Sequence, residues 1–346
     1  MTDTATTANL LHRGLPWRRI TVLAAIITIS VAALVWAILV TRPAPQPGVP
    51  SPDAGVLYST PLARLATNGA AVAAIGTALL LLLLGSAGRD QFEAIAFRAR
   101  AIGIAAGIVW ITAATTTWWL QAAAVSEAGT RMTFVGLIEY ARQVNSGSAL
   151  LVTILAAAAF AAIAALRPHP YWPAGCLAFA LIGLIAVPVT GHASQSSAVW
   201  LTTPAICLHV CAMSLWVGGL ALITTLATGR RKALALVLPR FSTVAGLCIA
   251  LVAASGVLLT GPRLIKDPTP GLYDLAQALI HTPAGWLVVG KLCGLFLLGT
   301  TGGYIRQILL PAVRREEPAA LAILAAVELT VMAAVIALAT VLARPL

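Results

Sequence analysis

The stretch from Cys207 to Gly219, Cys-Leu-His-Val-Cys-Ala-Met-Ser-Leu-Trp-Val-Gly-Gly, sets thiol, imidazole and thioether groups inside a segment apolar enough to lie in a bilayer. On a helix, at about 100° per residue, His209, Met213 and Trp216 share one face, and Cys207 and Cys211 fall roughly opposite. An imidazole and a thioether one turn apart suit a soft monovalent ion such as Cu(I), and two thiols one turn apart do so in their own right. An ionisable side chain at membrane depth is costly to keep, which makes His209 a candidate ligand or relay. Cys207 and Cys211 also have the plainer reading of small packing residues. Gly218 and Gly219 admit the close approach of a second helix backbone.

Further donors gather around this helix. His192, in Thr-Gly-His-Ala, opens the loop before it, and His281 lies in a later loop on the same side, so three of the five histidines fall on or near one membrane face. His192, His209 and Met213 together would give mixed nitrogen and sulfur ligation at the mouth of a helix bundle, open to the periplasmic side, with His281 as a further candidate. Lys291 and Glu328 are the charges set deepest in apolar spans, where pairing, snorkelling or a proton-linked role offsets their cost. Counted along their helices, they differ in depth by on the order of 10 Å, so a direct salt bridge requires shifted helix ends.

These groups need a scaffold, and the composition names its class. The 346 residues are 60% hydrophobic and 10% charged, with a mean hydropathy of +0.93; a soluble single-core protein of this length is excluded. The expected fold is all-α, a polytopic transmembrane helix bundle. The net charge of +11 does not indicate nucleic acid, because the basic residues are spread between apolar spans. All five cysteines fall within spans, which argues against an extracellular disulfide framework.

Nine spans are expected, at about 20–41, 62–85, 101–124, 148–166, 172–190, 203–227, 241–260, 285–309 and 319–342, each near the roughly 20 apolar residues that a bilayer core requires. The first reads as a retained helix, since no small-residue cleavage site follows it. Nine spans must alternate. Placing the N-terminus inside and the C-terminus outside puts fourteen of the 22 Lys and Arg residues in inner segments and seven in outer ones, the direction that membrane insertion favours. The expected organisation is a basic cytoplasmic tail over 1–19, a five-span region over 20–190 and a four-span region over 191–346. The proline-rich 42–61 is expected as an extended loop. Phe134, Leu137, Ile138 and Ala141, and again Leu272, Leu275 and Leu279, recur at helical spacing and predict short helices on the outer surface.

Catalytic patterns are missing from the sequence. It has no nucleophile elbow, no phosphate-binding glycine loop and no acidic pair suited to hydrolysis, so no enzyme is expected.

Several of these residues carry a resemblance. Gly191-His192-Ala193, Leu208-His209 followed by Leu215-Trp216-Val217-Gly218-Gly219-Leu220, then Arg240-Phe241-Ser242, Ser255-Gly256 and Lys291-Leu292 resemble, in order, the copper resistance protein D family of integral membrane proteins. The earlier spans, with Leu-Ala-Arg-Leu-Ala-Thr-Asn-Gly at 62–69, are similar to actinobacterial proteins that fuse such a region to a cytochrome oxidase assembly region. Only one such unit is present here, which leaves an assembly partner as a separate chain or none.

The resemblance implies copper handling at the cytoplasmic membrane, with a soluble periplasmic copper carrier or an oxidase assembly protein as partner, besides membrane lipid. It implies His192 and His209 as metal contacts, and Trp216, Gly218 and Gly219 as packing. Copper uptake or delivery, with Cu(I) favoured over Cu(II), is therefore the expected function. Two alternatives are a haem-binding or quinone-linked electron-transfer protein with His192 and His209 as axial ligands, and an oxidase assembly subunit without transport.

Overall fold

The computed structural model describes residues 54–264, apart from 127–128, 167–169, 191–198 and 228–229, together with isolated positions at 28–35 and 277–300. Among the described residues are seven α-helices and no strand: α1 Ala54–Gln91, α2 Glu93–Val125, α3 Phe134–Gln143, α4 Asn145–Ala165, α5 Trp172–Val189, α6 Val199–Leu226 and α7 Arg231–Leu264. All but α3 are long and apolar enough to cross a membrane. They coincide with the six central expected spans. Of the remaining expected spans, 20–41 and 285–309 are described only at isolated positions, all helical, while 319–342, both chain termini, and Leu272, Leu275 and Leu279 lie outside the described residues.

The sequence reading fails at the start of α1. Residues 54–61 were expected in an extended loop because of their prolines, yet the helix begins at Ala54 and runs through Pro61. Pro61 removes one backbone hydrogen bond, and the loss falls within the first turns, where the Ser59 and Thr60 hydroxyls donate to the Gly55 and Val56 carbonyls. The short surface helix expected from Phe134 to Ala141 is present as α3. Thr133 caps it, accepting from the Gly136 amide at 3.4 Å. Its Leu137, Ile138 and Ala141 pack against Trp118, Ala122 and Leu150.

Helix α1 is the centre of the bundle. Of its most apolar stretch 67% is buried, against 22–44% for the other five spans. It contributes to two cores. Leu79, Leu80, Leu83 and Leu84 pack with Trp216, Phe241 and Val252 of α6 and α7, whereas Ala71, Ala74 and Ile75 pack with Trp110, Phe160 and Ala180 of α2, α4 and α5. Lipid is as apolar as these side chains, so close fit rather than exclusion from water holds such a bundle together. The fit is tightest at glycines. A Cβ built on Gly76 would come within 2.9 Å of the Gly218 Cα, and one on Gly183 would meet the Trp110 ring at 2.9 Å.

Near its far end α1 breaks at Gly85, whose φ of 70° and ψ of 177° suit glycine alone. A helix break leaves carbonyls of the preceding turn without their usual amide partners. Here arginines serve them: Arg89 Nη1 donates to Leu81 O at 3.2 Å, and Arg240 Nη1, from α7, donates to Leu83 O at 2.5 Å. Arg100 does the same for α4, donating to the Ala164 and Ala165 carbonyls at 2.7 Å each. Arg98, Arg230, Arg231 and Lys232 lie toward this end as well, so it is the basic end of the bundle.

Candidate metal site

Helix α6 is wedged between α1 and α7 by its Trp-Val-Gly-Gly sequence. Trp216 is buried at 2% exposure. A Cβ on Gly218 would run into Gly76 N at 3.0 Å, and one on Gly219 would run into Phe241 Cε2 of α7 at 2.5 Å. The two glycines thus face different neighbours, and each admits one of them. This close packing fixes the rotation of α6.

With that rotation set, His209 turns toward α7. Its Nδ1 lies 2.9 Å from the Ser255 hydroxyl, and its Cε1 would be 3.7 Å from a Cβ on Gly256. Ser255 is 4% exposed and also bonds backward along its own helix, to Leu251 O at 2.5 Å and to Val252 O at 3.3 Å. The hydroxyl has one proton, which serves either a carbonyl of its own helix or Nδ1, according to the imidazole tautomer. With the hydroxyl proton on the carbonyl, Nδ1 would donate to Oγ and Nε2 would carry the lone pair, which is how a metal-ligating imidazole is oriented by a hydrogen bond on its other nitrogen.

Met213, one turn further on, is half-buried and packs against the core formed by α1, α6 and α7, as Trp216 does. Cys211 packs against the other core, with α1, α2, α4 and α5. Histidine, thioether and indole therefore share one side of α6, and the Cys211 thiol belongs to another. Cys207 is half-buried. Because α6 starts at Val199 rather than near 203, His209 sits about 15 Å along the helix, closer to three turns than two.

Among the described residues no three His, Cys, Asp or Glu side chains converge. His192, Lys291 and Glu328 lie outside the described residues, and His281 is exposed. Sequence reasoning missed Ser255 as the partner of His209, because the two are 46 positions apart. It also passed over Cys248, which is 3% exposed and belongs to the core that holds Met213 and Trp216. The signal was present as helical spacing along α7, where Phe241, Cys248, Val252 and Ser255 are all buried.

The six spanning helices, buried glycine contacts and arginine-capped carbonyls at the basic end define a multi-pass helical membrane protein. Two stretches of the sequence then give its family. Residues 53–202 match the family described as copper resistance protein D-like, N-terminal domain, and residues 235–342 match copper resistance protein D. The chain belongs to the copper resistance protein D family. The Cys207–Gly219 stretch lies between the two matches, while Arg240, Phe241, Ser255 and Gly256 lie within the second. No curated protein and no solved structure matches the chain.

Proposed function

We propose that this protein passes copper across or into the cytoplasmic membrane, and that His209 Nε2 is a contact for the ion as it enters the bundle. The observation that supports the reading is the His209–Ser255 contact at 2.9 Å, which turns the imidazole into the α6–α7 seam; in the tautomer that donates from Nδ1 to Ser255, Nε2 is the nitrogen that would meet the ion. Membership of a copper resistance family supplies the cargo. With the basic end facing the cytoplasm, as the positive-inside rule favours, α6 descends from the outer face and His209 precedes Met213 along an inward path. Imidazole first and thioether next suits Cu(I), and successive weak sites let an ion leave as well as enter. His192 and His281 serve as outer capture groups, and a periplasmic copper carrier is the natural donor. The protein carries copper and catalyses no covalent step.

The test is Cu(I) binding by the purified protein, read by competition with a colorimetric chelator, together with copper entry into vesicles. Wild-type protein should bind Cu(I) without a Soret band, and His209→Ala should lose most of the binding and the entry. Unchanged binding in His209→Ala, or a haem spectrum in the isolated protein, overturns the reading.

A further inference from the structure

A second polar cluster lies away from the His209 seam, at the end of the bundle opposite the basic one. Arg64 of α1 is half-buried, and no carboxylate among the described residues pairs with it. Its guanidinium meets Gln121 of α2, which is 9% exposed. Arginine only donates, so the amide oxygen of Gln121 faces it, accepting from Nε at 3.0 Å and Nη2 at 3.1 Å. The other amide atom then lies 3.4 Å from the hydroxyl of Tyr140 in α3, itself 2.9 Å from the Ser146 hydroxyl in α4. Beneath, the Thr67 and Thr117 hydroxyls meet at 3.1 Å and close the cluster toward the apolar interior.

Arg64 brings a positive charge that no carboxylate among the described residues balances. The hydroxyls of Thr67, Thr117, Tyr140 and Ser146 each donate and accept, so they bond among themselves and to Gln121, while Arg64 spends Nε and Nη2 on Gln121 and keeps Nη1 for another acceptor. A cation held partly away from bulk water costs free energy, and an oxyanion beside it offsets that cost.

The depth supports one class of oxyanion. Gln121 lies in the last turns of α2, Tyr140 in the last turn of α3 and Ser146 in the first turn of α4. Helices end and begin where the membrane meets water, which is the layer of the lipid phosphates. Exposed Arg131 and Arg142 on the same side add to the attraction for anions.

We propose that Arg64, held by Gln121 with Tyr140 behind it, forms a binding site for a phosphate group at this end of the bundle. The guanidinium fork offers its free edge to two phosphate oxygens, a geometry a lysine does not reproduce. The phosphate comes from a lipid headgroup or from free phosphate in solution, and two measurements separate the sources.

Full-length protein, delipidated in detergent, is offered phosphatidylglycerol or phosphatidylcholine, and the retained lipid is read by native mass spectrometry. Separately, its thermal midpoint is measured with inorganic phosphate against chloride at equal ionic strength. A preference of about tenfold for phosphatidylglycerol, lost in Arg64→Gln and weakened in Arg64→Lys, supports a lipid site. Stabilisation by inorganic phosphate with the same dependence on Arg64 supports a site for the free anion. Should Arg64→Gln not fold, Arg64→Lys carries the comparison, since it keeps the charge and most of the side-chain volume and loses only the planar fork. Equal retention of both lipids with no effect of phosphate, or preferences identical in wild type and variants, overturns the proposal.

Discussion

His209 of α6 and Ser255 of α7 meet at 2.9 Å across a helix pair whose rotation is set lower down by Gly219 against Phe241. The contact orients the imidazole, so it ranks as a positioning interaction. Ser255→Ala should weaken Cu(I) binding about 10- to 100-fold, the usual effect of removing a partner that orients a ligand, while His209 itself is intact. Ser255→Thr, which keeps a hydroxyl, should restore much of it. Equal Cu(I) affinity in wild type and Ser255→Ala, measured by chelator competition, would show that Nδ1 needs no acceptor.

The glycines of the bundle differ in what surrounds them, and substitutions should follow that difference. Gly219→Ala places a methyl group against Phe241 and Leu79, and Gly76→Ala places one against the backbone of Gly218. Each should destabilise by about 1–3 kcal/mol through overpacking. Gly246→Ala, with nothing within 4 Å, should leave stability unchanged or raise it slightly. Unfolding of the three variants in a graded detergent series reads the contrast directly. Similar behaviour of all three would mean that these helices do not approach as closely as described.

How much of this was legible in the sequence depends on the range of the interaction. Apolar run length locates α1, α2 and α4 to α7, because a bilayer imposes one length on every span. The 3.6-residue period finds α3 and puts His209, Met213 and Trp216 on one side of α6. Helix ends are less legible. Pro61 suggests a break and lies inside α1, since one missing hydrogen bond is tolerated near a helix end, while the actual break, at Gly85, looks like any other glycine in a run of leucines. Pairings between helices are not legible at all. Nothing local to Ser255 points to His209, nor anything local to Arg64 to Gln121, which is 57 positions away by residue number. Composition sets a helix's depth and face, and only packing chooses the neighbour.

Arg240 and Gly85 form a coupled pair at the basic end. Gly85 takes a positive φ that breaks α1, and Arg240 donates to a carbonyl in the turn before the break. Arg240→Gln should cost about 1–2 kcal/mol for the charged hydrogen bond, and Gly85→Ala about 1–3 kcal/mol for a positive-φ, extended-ψ backbone that is essentially closed to other residues. The double variant should cost less than the sum, because a straightened α1 no longer presents the Leu83 carbonyl. Strict additivity in the measured unfolding free energies would show that the arginine does not cap the break.

The two sulfur types on α6 should behave oppositely in copper handling. Met213 shares the side of His209 and Trp216, whereas Cys211 is turned into the core built from α1, α2, α4 and α5. Met213→Leu keeps volume and apolarity while removing the thioether, so stability should hold within about 1.5 kcal/mol. Copper entry into vesicles should nevertheless fall, because the proposed path would lose its second soft donor. Cys211→Ala removes a thiol that the packing directs elsewhere and should leave copper entry close to wild type, with only a small loss of stability from the shortened side chain. If instead Cys211→Ala abolishes entry and Met213→Leu is silent, the ion travels on the far side of α6, and the imidazole at 209 serves packing rather than passage.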